Sequence, residues 1–138
     1  MYQKDYILRM IEMMAQFIAA ILSILRKGNI PKSRQMLEAA YHDFLKRDAA
    51  FFHGIPEERL TDELMGEHNF THGHLELLSE LFYAEGEVEQ AAGNHDLSLA
   101  CYRKALKLVQ FIADNSDTYS PLREERIALL KGRIQNNN

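Results

Sequence analysis

Three histidines crowd the stretch EHNFTHGH: His68, His72 and His74, with Glu67 and Glu76 beside them. Imidazole and carboxylate are ligands that transition metals take, and on a helix His68 and His72 would share a face. Thr71 and Gly73 read instead as a helix cap and a turn, and no HExxH spacing is present. The expectation is a capped helix start without a metal, the three histidines being the candidate ligands if one binds. Cys101 is the only thiol. A reactive thiolate needs an exposed, electropositive setting, whereas Cys101 falls mid-helix before Tyr102, with Arg103 and Lys104 directed elsewhere. It is expected to be packed and inert. Acidic residues are dense from Glu76 to Glu89, and paired carboxylates can do acid–base work. Nothing in the sequence joins them to a nucleophile, and no phosphate loop, Ser-His-Asp order or nucleotide fingerprint exists. The chain is therefore expected not to be an enzyme, to have no catalytic residue and to use no cofactor.

These residues must be positioned by helices. The chain has 138 residues, 46% hydrophobic and 26% charged, enough for one domain with a core. Tryptophan is absent, prolines number three, and helix formers dominate, so the fold class is all-α. A net charge of −4 argues against a general nucleic-acid binder. A single cysteine excludes an intrachain disulfide and a cysteine-based zinc site; a reducing, cytoplasmic setting is expected.

Apolar residues at helical spacing predict a helix over residues 4 to 27, apolar nearly all round from Met13 to Leu25. Such a helix is expected to be covered on more than one side. A membrane span is disfavoured because Arg9 and Glu12 cut into the run from one end, Arg26 and Lys27 from the other. Asp5 and Glu12 disfavour a signal peptide. Gly28-Asn29 closes this helix and opens a second, about Ile30 to Arg47. Residues 48 to 70 form an intervening segment with one short helix at about 56 to 66. A second hairpin follows, with helices at about 71 to 92 and 95 to 114 joined at Gly93-Asn94, and a last helix begins at Ser120-Pro121. One domain, 1–138, thus divides into hairpin 4–47, segment 48–70, hairpin 71–114 and capping helix 120–135, ahead of a polar tail over 135–138.

At an offset of 65 residues the chain matches itself: Phe17 with Phe82, Ala19 with Ala84, Gly28-Asn29 with Gly93-Asn94, Ser33 with Ser98, Ala40 with Ala105. These are positions that close helix packing constrains. Phe82, Gly86, Gly93, Ser98, Tyr102 and Ala105 resemble the spacing of the tetratricopeptide repeat. Glu85 and Glu89 depart from it, standing where the repeat has a large apolar residue and an aromatic, and Gln110 stands where a closing proline is common. The resemblance implies antiparallel hairpins in a right-handed superhelix, a capping last helix, and a concave surface lined by the first helix of each hairpin. On the second hairpin that surface is Glu80, Tyr83, Glu87 and Gln90, the expected partner-binding residues, suited to a basic or polar peptide. On the first hairpin the matching positions are Ala15, Ile18, Leu22 and Leu25, all apolar. Phe51, Phe52, Leu60 or Leu64 of the intervening segment are expected to bury Leu22, a homodimer using whatever remains.

The opening MYQKDYILRMIE is similar to that of a family of uncharacterised bacterial helical proteins, a domain of unknown function, through Tyr6, Arg9 and Glu12. That likeness implies no activity. The expected function is a protein- or peptide-interaction module. The alternatives are a structural homo-oligomer built on the apolar first helix and, third, a metal-binding protein using the histidines. The expected partner is a protein or peptide, neither nucleic acid nor membrane.

Overall fold

Gly28 and Gly93 adopt φ of 87° and 86°, the left-handed region that a Cβ disfavours. Each ends a helix and turns the chain back, as the matched Gly-Asn pairs predict. The computed structural model describes the backbone of residues 2–136 and the side chains of residues 5–136; the last two residues of the expected tail lie outside them. The helices are α1 (Tyr2–Arg26), α2 (Ile30–Leu45), α3 (Ala49–His53), α4 (Leu60–Glu67), α5 (His72–Ala92), α6 (His95–Asp114) and α7 (Pro121–Asn136), with a 3-10 turn at Glu57–Arg59. No strand occurs among the described residues, so the chain is all-α.

The two Gly-Asn turns differ in their caps. Asn29 Oδ1 accepts the Lys32 N–H at 3.1 Å, with Pro31 in the first turn of α2. Asn94 makes no such side-chain bond; its Nδ2 donates to Glu89 Oε1 at 2.6 Å. A largely buried carboxylate draws the amide away from the cap.

Helices α5 and α6 meet where the small residues predict. A Cβ on Gly86 would lie 2.5 Å from the Tyr102 ring. Ser98 Oγ donates to the Gly86 carbonyl and Ser79 Oγ to the Ala105 carbonyl, both at 2.9 Å. Tyr102, Phe82, Leu78 and Ala105 are fully buried around this crossing.

Helix α5 is the centre of the molecule. Helices α1, α2 and α6 pack on it, and α7 packs on α6. Gly73 at the start of α5 faces Ile7 near the start of α1, so the two run parallel. Arg126 and Arg133 meet Glu80 and Glu87 in the same order, so α7 is parallel to α5 as well.

The intervening segment differs from expectation in form and in place. It is two helices around a 3-10 turn, because Asp48 caps α3 by accepting the Phe51 N–H at 3.0 Å and Pro56 stands ahead of the turn. It does not lie over α1. Phe52 stacks on Tyr41 of α2, α4 and the turn pack on α6, and Lys104 of α6 donates to the Phe52 and His53 carbonyls at 3.2 Å each. Leu22 is consequently only half-buried, while Phe52, Leu60 and Leu64 are buried elsewhere. Helix α1 is covered on one side, not several: from Asp5 on, only Met14, Ile18 and Ile21 are buried.

Candidate functional site

Every glutamate of α5 has a basic or hydrogen-bonding neighbour. On one flank Arg126 donates to Glu80 through Nε at 2.7 Å and a terminal nitrogen at 2.9 Å. Arg133 does the same to Glu87 at 3.1 and 2.9 Å, and the Tyr102 hydroxyl adds a bond of 2.6 Å. Forked, charge-assisted bonds of this kind fix orientation as well as distance. Tyr83 is 5% exposed, with the Arg126 guanidinium 3.9 Å from its ring centre. Gln90 accepts from Ser98 Oγ at 3.3 Å. The expected partner-binding residues thus do meet a basic helix, but Glu80, Tyr83 and Glu87 meet the chain's own α7. Burial and Glu87 push the Tyr83 hydroxyl to about 12.

The other flank joins the hairpins. Arg34 of α2 donates to both oxygens of Glu89 at 3.1 and 2.7 Å. The Tyr41 hydroxyl donates to Glu85 at 2.6 Å, and His53 Nε2 sits 2.7 Å from its other oxygen. The two departures from the repeat pattern are therefore joints between α2, α3 and α5. Burial pushes Glu87 and Glu89 up, but the bonds from Arg133 and Tyr102, and from Arg34 and Asn94, outweigh it and hold both below the ordinary value.

The three candidate histidines do not converge. The His68 ring is edge-on to Phe51 and that of His72 to Phe111, while His74 Nδ1 accepts the Thr71 N–H at 3.1 Å in a reciprocal cap. Thr71 is the helix cap that the sequence predicts. Sequence reasoning missed a tighter group, His53, Glu85 and Cys101, whose donor atoms lie within 4.8 Å of one another. The signal available was Glu85, an acid at an apolar position. Both its oxygens are already engaged, and the Lys104 ammonium adds positive charge nearby. Tyr41 and His53 thus satisfy the Glu85 carboxylate. Burial pushes the Cys101 thiol well up, away from the reactive thiolate.

What stays open is a groove of about 670 Å³ over α5, between α1 and α7. Leu8, Ile11 and Ala15 form one wall, Leu122 and Leu129 the other, and Leu77 lies between. Leu8 is 51% and Leu122 78% exposed. Of the apolar concave positions expected on the first hairpin, Ala15 lines this groove and Ile18 is buried. At one end the Nε–H of Arg123 is buried without a hydrogen-bond partner among the described residues; the nearest acid oxygen, on Glu76, is 3.9 Å away. Burial raises the Glu76 carboxyl. Apolar walls with one unspent donor suit a segment that brings apolar side chains and a carbonyl or carboxylate. Glu76 and Glu80, which the sequence singled out, also line this groove; Arg123, Glu125 and Arg126 escaped sequence reasoning because α7 supplies them from a helix read only as a cap. No protein-family model, curated protein or solved structure matches this chain.

Proposed function

We propose that the chain is a tetratricopeptide-like scaffold, not an enzyme, that binds a segment of another polypeptide in the groove between α1, α5 and α7. The observation that carries this is the groove itself: exposed apolar walls from two helices that do not close on each other. The 65-residue self-match, the left-handed Gly28 and Gly93, and the Gly86–Tyr102 approach support the repeat character. The parallel order of α1, α5 and α7 supports it too, since first helices side by side line a concave face. The bound segment is apolar on one side and presents an acceptor to Arg123. It is not the basic peptide that the acidic run suggested, because α7 occupies that role.

A displayed peptide library selected on the full chain tests this. Apolar-faced peptides should be enriched and should bind in the micromolar range. Ala15→Arg, which fills one wall from an exposed position, should weaken them at least tenfold while leaving the melting temperature in place. Enrichment of nothing, or of peptides indifferent to Ala15→Arg, would remove the groove as the binding surface.

A further inference from the structure

Three helices bring three kinds of donor atom to one point. His53 ends α3, Glu85 lies within α5 and Cys101 within α6. The imidazole nitrogen, a carboxylate oxygen and Sγ all lie within 4.8 Å of one another. Residues outside the trio hold two of the three in place. The Tyr41 hydroxyl donates to Glu85 Oε1 at 2.6 Å, and Oε2 faces His53 Nε2 at 2.7 Å. Lys104 Nζ binds the Phe52 and His53 carbonyls and so fixes the backbone that carries the imidazole. None of these bonds engages the Cys101 thiol, which is fully buried. The trio shares no residue with the groove between α1, α5 and α7.

We infer that His53, Glu85 and Cys101 bind one zinc ion, which ties α3 to the second hairpin. The donor set selects the ion. A thiolate disfavours magnesium and calcium, which take oxygen, and a carboxylate disfavours copper(I), which takes sulfur. Zinc accepts all three donors, with solvent as a fourth ligand. Distances agree. Bonds of about 2.0–2.3 Å set the ligand atoms of a tetrahedral ion roughly 3.3–3.6 Å apart. The His53–Glu85 contact therefore opens by less than about 1 Å, and no pair closes by more than about 1.5 Å. The proton count is simple. The Cys101 thiol gives its proton to water, and neutral His53 carries its own on Nδ1, freeing Nε2. Zinc, one thiolate and one carboxylate then sum to zero charge. The groups of this pocket also feel the carboxylates of Glu38, Glu57, Glu58 and Glu89, against the cations Lys104 and Arg34. That surrounding offsets the nearby ammonium. The Tyr41 bond to the other Glu85 oxygen becomes the outer contact that orients a metal-bound carboxylate. Solvent reaches the ligands from one side, the His53 and Glu85 side chains being 26% and 12% exposed.

Cobalt(II) titrated into the full chain, purified without a histidine tag, tests this. One equivalent should bind, with a thiolate-to-cobalt charge-transfer band in the near ultraviolet and the strong visible bands of a four-coordinate ion. Zinc should then displace it and abolish both. Cys101→Ala should lose the near-ultraviolet band. His53→Gln, whose amide can still donate to Glu85, should keep the helix signal and weaken cobalt binding at least tenfold. Zinc should raise the melting temperature of the wild-type chain and slow its cleavage within residues 54–59, and should do neither for His53→Gln. His68→Ala, which breaks up the separate Glu63, Glu67 and His68 group, should alter none of this. Absence of the thiolate band at millimolar cobalt, a band of full strength in His53→Gln, or metal binding that disappears with His68→Ala would each overturn the proposal.

Discussion

Gly86 and the five glutamates of α5 show how single side chains acquire their roles from what lies opposite. Gly86→Ala would set a methyl 2.5 Å from the Tyr102 ring, a wedge in the tightest crossing of the molecule. A loss of about 1–3 kcal/mol is expected in denaturant unfolding, and Tyr102→Leu in the same chain should recover part of it. Additive losses in that double-mutant cycle would mean that the two do not touch. Glu87 and Glu89 set the acid limit. Both are held below the ordinary 4.5, so their stabilisation is present above that value and is lost as pH falls through the folded values. Glu76, raised by burial, works the other way: what it contributes is present at low pH and is lost as pH rises. Two against one, the melting temperature should drop as pH falls from about 5 to about 3. Glu87→Gln with Glu89→Gln should flatten that limb, whereas Glu76→Gln should not. A wild-type curve level over this range would contradict the assignment.

At the scale of elements, α7 is held by arginines as well as by apolar contact. Ile127 and Leu130 are its buried residues, and Arg126 and Arg133 span the gap to α5. These side chains are partly exposed, so each pair is screened. Arg126→Ala should therefore cost about 1–2 kcal/mol, the forked bonds and the cover over Tyr83 together. Its signature is local: amides of α7 should exchange faster in deuterated buffer while those buried between α5 and α6 keep their protection. Uniform acceleration through α5 would show instead that α7 is integral to the core. The intervening helices obey the same logic. Lys104 holds α3 by its last two carbonyls, so Lys104→Met should speed proteolysis within residues 54–59 with little change in helix content.

For the molecule as a whole, sequence and tertiary structure divide the account along a physical line. All-α character, two hairpins, their glycine turns and the crossing at Gly86 were legible because they depend on local rules. Helical periodicity needs no partner, a left-handed turn selects glycine by its own backbone, and a close approach demands a small residue wherever it occurs. Cys101 as a packed thiol and Thr71 as a cap followed in the same way. The side on which residues 48 to 70 pack was not legible. Phe51, Phe52, Leu60 and Leu64 announce burial but carry no address, and the tie that places them comes from Lys104, 52 residues beyond the Phe52 carbonyl it binds. Nor was the fate of Glu80 and Glu87. An acidic helix face reads the same whether it meets water, a foreign peptide or the chain's own Arg126 and Arg133. The apolar run of α1 declared that something must cover it, and the intramolecular cover it suggested lies elsewhere. Periodicity reports how much of a helix is apolar; only the packed molecule decides which neighbours reach it, because burial is a property of pairs and the sequence states only one member at a time.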